Sequence, residues 1–317
     1  SIPAETQRDD GTLPSRINGF LESGAHRVIA RLLLVILWLL RLLPLWLLAA
    51  IGNTFGMCLY ALAAERRKVC RINLERCFPG WPAERRSDAA KAHFRAVGRS
   101  LIERGILWWS SRRRIEALVE VRGWENLEAA QAKGNVILLA PHFVGLDAGL
   151  SRLTTLIDLA CVYANQKSEI MNRALLDGRT RFGDQRFFSR QEGIRAALAE
   201  LRRGRPLYYL PDMDYGPRDA VFVDFFGNPA ATITGLSRVA KAAGASVVPC
   251  VTRMKPGGAG YVLAIHPAWD NFPGPDAVAD TRRMNAFIET CVLEMPEQYF
   301  WTHKRFKTRP EGEARWY

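Results

Sequence analysis

His142 and Asp147 are the two residues whose types and spacing point most directly to chemistry. They stand in Ala140-Pro141-His142-Phe143-Val144-Gly145-Leu146-Asp147, directly after the apolar run Asn135–Ala140. A carboxylate bonded to one imidazole nitrogen fixes the tautomer and leaves the other nitrogen free to act as a base. Five positions along a regular helix rotate a side chain by about 500°, roughly 140° from a shared face. The pair therefore meets only if His142 lies on a loop or a first helical turn. Pro141 and Gly145 supply that irregularity. The other four histidines lack the spacing, since Arg31, Gly98, Asn271 and Thr308 stand five places after them. Chance alone can supply such a pair, so its place after a candidate strand carries the weight. Open parallel sheets hold their active sites at the carboxyl ends of strands.

Further candidates surround this pair in the sequence. Asp212 and Asp214 follow another apolar run and either orient a substrate or cap a turn. Lone His266 and His303 read as structural. The run His303–Arg309 interleaves aromatic and basic side chains, a pattern compatible with nucleic acid. No nucleic-acid motif accompanies it, and a membrane segment elsewhere makes lipid phosphates the expected partners. No metal-ligand constellation is visible, so neither a metal nor a cofactor is expected.

The elements that position these residues follow from hydrophobic patterning. Asn135–Ala140, Leu159–Ala164, Pro206–Pro211, Val247–Arg253 and Tyr261–His266 read as strands. Helical stretches between and after them include Gly193–Arg203, Thr234–Ala243 and Asp280–Glu294, the last preceded by the turn-rich Pro267–Pro275. Alternation of this kind predicts an α/β fold with a mainly parallel central sheet flanked by helices. Asp88–Trp109 reads as an amphipathic helix, facing either the core or acidic lipid headgroups.

The sharpest change in composition is at Val28. Leu32–Leu40 is an unbroken apolar run, and after Arg41 the stretch Leu42–Ala64 carries no charge. A spanning helix needs about 20 apolar residues, so the stretch qualifies by length. Pro44 and the patch Gly52-Asn53-Thr54 count against a plain span. Basic residues on both flanks leave the orientation open. The expected organisation is a flexible polar segment over 1–27, a membrane-anchoring helical segment over 28–68 and a catalytic domain over 69–317. The 317 residues carry 44 Lys and Arg against 32 Asp and Glu, a net charge of +12, which suits an anionic partner. Six cysteines without a Cys-x-x-Cys pair suggest free thiols in a reducing compartment.

The His-x-x-x-x-Asp motif resembles that of the glycerolipid-type acyltransferases. Several other segments resemble the narrower family of bacterial lipid A biosynthesis acyltransferases, the secondary acyltransferases of the lauroyl and myristoyl type. They are Asn73–Pro79, Ala140–Gly149, Pro211-Asp212-Met213-Asp214-Tyr215-Gly216, Val221–Gly227, Ala230-Ala231-Thr232 and Trp301–Glu313, the last centred on Lys304-Arg305-Phe306-Lys307-Thr308-Arg309-Pro310. The likeness extends over residues 28–317. It implies one amino-terminal membrane helix in the bacterial inner membrane and a catalytic domain on the cytoplasmic face. It also implies an acyl carrier protein as donor, a lipid A precursor as acceptor, and contact with membrane lipids. Many members carry Glu where this chain has Asp147, a change that keeps the charge and shortens the reach.

On this reading His142 takes the proton of the acceptor hydroxyl and Asp147 orients it. The chain has no Gly-x-Ser-x-Gly elbow, so direct attack is expected rather than an acyl-enzyme. The resemblance places Arg179, in Arg179-Thr180-Arg181-Phe182-Gly183, at the active site, where its fork of donors suits a phosphate or an oxyanion. Arg181, Asp212, Asp214, Lys304 and Arg305 are the candidate substrate-binding residues.

Overall fold

The computed structural model describes residues 24–190 and 193–317. Six helices come first: α1 (Gly24–Leu40), α2 (Leu45–Leu62), α3 (Ala64–Cys77), α4 (Ala83–Ile102), α5 (Arg104–Trp109) and α6 (Arg112–Leu118). Strands and helices then alternate through β1 (Val119–Arg122), α7 (Trp124–Gln131), β2 (Val136–Leu139), α8 (Leu146–Leu153), β3 (Ala160–Tyr163), α9 (Glu169–Thr180), β4 (Arg186–Ser189), α10 (Gly193–Arg202) and β5 (Leu207–Tyr209). The hairpin β6 (Ala220–Phe225) and β7 (Asn228–Ile233) follows, then α11 (Gly235–Ala243), β8 (Ser246–Met254), β9 (Tyr261–Ile265) and α12 (Ala277–Glu294).

Seven strands form one sheet in the order β1-β9-β8-β2-β5-β3-β4. Every pairing is parallel except β8 with β9. The expected mixed α/β class and mainly parallel sheet are therefore observed. All five expected strands and the three carboxyl-side helices are present, most within a residue or two of their expected bounds. The short strands β1 and β4 and the hairpin β6–β7 were not anticipated.

Side-chain alternation in the strands feeds two cores. Ile137 and Leu139 of β2 face one, with α3, α10, α11 and α12; Val136 and Leu138 face the other, with α5 to α8. A sheet buried on both faces requires near-continuous apolar strands, and Val136-Ile137-Leu138-Leu139 is one.

The expected helix Asp88–Trp109 is divided at Glu103, whose buried carboxylate accepts from Arg99 Nε at 3.1 Å and from the Tyr261 hydroxyl. Most of the expected polar segment 1–27 lies outside the described residues; its last four residues already belong to α1. α3 runs without a break through residue 68.

α2 packs along α4 at backbone distance. Gly52 lies against Arg99 and Gly56 against Phe94 and Arg95, so the two helices run antiparallel. Gly98 of α4 sits on the Gly52 carbonyl and the Gly56 backbone, and a Cβ there would collide with both. The Gly52-Asn53-Thr54 patch is thus part of a small-residue contact of the Gly-x-x-x-Gly kind. Gly98→Leu should force the helices apart and lower stability by about 1–3 kcal/mol, the usual range for overpacking. Gly80→Ala, in open space, should leave the melting temperature unchanged. Thermal unfolding of the detergent-solubilised chain checks both.

Candidate active site

The parallel register of β2 and β5 sets Leu139 beside Tyr209. Both strands end there, and the residues three places further on are His142 and Asp212. The register therefore delivers the two side chains to the same spot. His142 Nδ1 lies 2.6 Å from Asp212 Oδ1, and the His142 backbone N–H donates to Asp212 Oδ2 at 3.0 Å. A carboxylate on Nδ1 selects the tautomer that leaves Nε2 unprotonated. Asp212 is fully buried. Burial alone would raise its carboxyl, but the neighbouring His142, both hydrogen bonds from that residue and the charge of Arg305 bring it below the usual range.

The His142 loop is held from the other side by the carboxyl-terminal segment. The His142 carbonyl accepts from Phe300 N–H at 3.0 Å, and Val144 N–H donates to the Gln298 carbonyl at 2.8 Å. Phe143 and Tyr299 form a β-bridge, with their rings edge to face at 5.5 Å.

Asp147 was expected to accept a hydrogen bond from His142, but among the described residues the carboxylate on the His142 ring is that of Asp212. Asp147 lies in the first turn of α8 and meets two arginines instead. Arg179 Nη2, in the last turn of α9, donates to Oδ1, and Arg104 Nη2, at the start of α5, lies 3.5 Å from Oδ2. Burial would raise the Asp147 carboxyl, but Arg179 and Arg104 hold it below the usual range. Burial likewise works against the charge on Arg179, and Asp147 outweighs it. The Nε atoms of Arg104 and Arg179 are buried without a hydrogen-bond partner among the described residues.

His142, Asp147, Arg104 and Arg179 line one cavity of about 410 Å³. Its walls are mostly apolar, with Leu146, Leu150, Val162, Leu175, Ile194 and Ile233 among them. Arg190 lines it too, its guanidinium over the Tyr215 ring at 4.7 Å. Among the described residues, no three His, Cys, Asp or Glu side chains are grouped to hold a metal ion.

Four expected substrate-binding residues are engaged elsewhere. Arg181 donates from Nε and Nη2 to the Leu107 carbonyl, at 3.2 and 2.9 Å, and from Nη1 to that of Ser110. It therefore caps the end of α5, and burial pushes its guanidinium down to about 10. Asp214 closes a turn by accepting from Gly216 N–H at 2.9 Å, and it also accepts from Thr308 N–H at 2.6 Å and Thr308 Oγ1 at 2.8 Å. Arg305 is buried, donating to the Ala231 carbonyl at 3.0 Å and Thr232 Oγ1 at 2.8 Å. Its charge helps to hold the Asp212 carboxyl below the usual range. Lys304 is at the surface, paired with Glu65 at 2.9 Å. Asp212 reaches the site as the partner of His142.

Arg104 and Arg190 escaped the sequence reading. Arg104 stands at the start of α5, just after the break at Glu103, and lines the cavity. His303 fits its structural reading, since its Nε2 accepts from Asp214 N–H at 3.2 Å.

A histidine bonded to a buried carboxylate and two arginines bonded to another share one largely apolar cavity, and the family and relatives that the chain matches make it an acyltransferase. Residues 20–308 match the family model described as bacterial lipid A biosynthesis acyltransferase, and the chain belongs to that family. It is 35% identical to the lipid A biosynthesis lauroyltransferase of Escherichia coli K12, across 87% of this chain and 90% of that protein. It is 30% identical to the palmitoleoyltransferase of the same organism, across 89% and 92%, and 30% identical to its myristoyltransferase, across 86% and 83%. These relatives carry the names of three different acyl groups, so family membership assigns no chain length.

Burial pushes His303 and His93 down to about 4, and both stay neutral in the folded chain over a range where free histidine is protonated. Their contribution to stability is complete above about pH 6.5 and is lost as pH falls toward 4. Melting temperature should therefore fall across that window, with a slope worth up to about 1.4 kcal/mol per pH unit for each histidine. His303→Gln should flatten the slope.

Proposed function

We propose that the chain transfers a fatty acyl group from an acyl carrier protein thioester to a hydroxyl of a lipid A precursor, on the cytoplasmic face of the bacterial inner membrane. The observation that carries this reading is His142, bonded to the buried Asp212, lining one largely apolar cavity together with Arg179 and Arg104. Family membership and the names of the relatives supply the acceptor.

His142 Nε2 removes the proton of the acceptor hydroxyl as its oxygen attacks the thioester carbonyl. Asp212 steadies the imidazolium that forms. Collapse of the tetrahedral intermediate breaks the carbon–sulfur bond, and the imidazolium returns the proton to the leaving thiolate. Ester and free thiol are the products, and no acyl-enzyme is formed. Asp147 acts by holding Arg179 and Arg104, whose free donors suit a substrate phosphate or the oxyanion. The apolar walls take the acyl chain.

The basic balance of +12 favours encounter with an acidic carrier protein. Apolar α1 and α2 favour a membrane location, and the free cysteines fit a reducing compartment.

The test is initial rate with purified full-length chain, acyl carrier protein thioester, and a lipid A precursor and a lysophospholipid as competing acceptors. His142→Ala should lower kcat by about 10²–10⁴-fold, the usual contribution of general base catalysis. Asp212→Asn should cost kcat more than Asp147→Asn, and Arg179→Lys should be impaired although charge is kept. Near-normal turnover in His142→Ala would overturn the mechanism, and preference for the lysophospholipid would overturn the acceptor.

A further inference from the structure

We propose that the Tyr209 hydroxyl and the amino-terminal end of α11 form a second anion-binding subsite of the cavity, taking a phosphate group of a substrate. The proposal rests on the reading above of an acyltransferase with phosphorylated substrates and adds where one phosphate is held.

The cavity straddles the ends of the strands. Tyr208 and Tyr209 are neighbours in β5 and point to opposite faces, Tyr208 into the core with α5 to α8 and Tyr209 into the other. Both line the cavity. Tyr208 is on the side of Arg179 and Asp147, and its hydroxyl donates to the Leu146 carbonyl at 3.4 Å. The Tyr215 hydroxyl is also engaged, donating to the Leu210 carbonyl at 2.9 Å. Tyr209 is only 9% exposed, and its hydroxyl has no hydrogen-bond partner among the described residues. A buried donor without an acceptor is disfavoured, so a ligand atom there is stabilising.

That hydroxyl is aimed at the start of α11. A Cβ on Gly235 would land on it, with Ile233 Cδ1 next nearest at 3.4 Å. Ile233 lines the cavity too, so the helix start opens on the same space. Thr234 stands at the cap position without a side-chain hydrogen bond, and no acidic residue follows in the first turn. The first N–H bonded within the helix is that of Arg238, to the Thr234 carbonyl at 3.2 Å. The N–H groups before it carry the positive end of the helix dipole and suit an anion. The Ser237 hydroxyl turns to α12 instead, donating to Asp280 Oδ2 at 2.6 Å. Burial pushes the Tyr209 phenol up, and Tyr215 adds to this against the charge of Arg238, so Tyr209 stays an O–H donor. Arg190, over the Tyr215 ring at 4.7 Å, adds a cation to the cavity.

The reaction brings phosphate from two directions. The thiol arm of an acyl carrier protein is attached through a phosphodiester, and a lipid A precursor carries phosphates on its sugars. Arg179 and Arg104, ordered by Asp147, offer one anion station, and Tyr209 with α11 offers another on the opposite face of the sheet.

The test assays the purified full-length chain with matched pairs of substrates. The donors are acyl 4′-phosphopantetheine and acyl pantetheine; the acceptors are the bisphosphorylated lipid A precursor and its forms lacking one phosphate. The wild-type chain should favour the phosphorylated member of one pair. Tyr209→Phe removes the hydroxyl alone and should narrow that preference in kcat/KM about tenfold, as loss of one hydrogen bond to a charged group does. Gly235→Ala should narrow it likewise, by filling the space beside the hydroxyl. A preference within a pair does not depend on how much of a variant is folded. Narrowing in the donor pair assigns the thiol-arm phosphate to the subsite, and narrowing in the acceptor pair assigns the lipid phosphate. A preference unchanged in both variants, or missing from the wild-type chain, would overturn the subsite and leave the acyltransferase reading intact. No transfer by the wild-type chain, even from intact acyl carrier protein thioester to the bisphosphorylated precursor, would overturn that reading itself.

Discussion

The hydrogen bond between His142 Nδ1 and the buried Asp212, 2.6 Å long, depends on the register of two parallel strands. A slip of one residue between β2 and β5 would turn every side chain to the opposite face and part the pair. That slip is resisted because both faces of β2 are buried in separate cores, so each of its residues has an assigned side. Burial works against charge on Asp212, and the hydrogen bonds from His142 and the charge of Arg305 offset it. Such a pair is costly to break from one side, since the remaining charge stays buried and unpaired.

The carboxyl-terminal segment braces this arrangement. Phe300 bonds the His142 carbonyl, while Asp214 holds Thr308 and His303. Asn73 of α3 donates to the carbonyls of Trp301 and His303, each at 2.8 Å, joining parts of the chain more than 200 residues apart. Arg305 enters the core between β7 and α12, over the Phe225 ring. The conspicuous polar residues of Asn73–Pro79 and of the final motif therefore act largely as couplers. They fix the backbone that carries His142.

Asp147 plays a different part from Asp212. Its carboxylate sits between two guanidiniums and orders them, and the short Asp side chain is sufficient because α5 and α9 both approach it closely. Gly178 of α9 lies directly against Trp108 of α5, and Gly105 lies under α1. Small residues at these crossings let the α1 backbone rest on α5 and the Trp108 side chain of α5 rest on α9. The same packing joins the apolar outer helices to the wall of the cavity.

Much of this was legible in the chain itself. Short apolar runs alternating with helical stretches determined the mixed α/β class, because buried parallel strands must be continuously apolar. The loop Pro141–Gly145 after a strand determined where His142 would lie. The apolar run beyond Val28 and the net charge of +12 motivated the membrane and the acidic carrier protein of the proposed function. Which carboxylate serves His142 was not legible, since Asp147 is near in sequence and Asp212 is brought near only by the β2–β5 register. The same holds for Arg104, placed by a helix break that a buried Glu103 stabilises, and for Arg305, drawn inward by carbonyls of β7. Local patterning reports which side of an element is apolar. The partners of a polar side chain are set by how distant elements meet, and only the tertiary structure decides that.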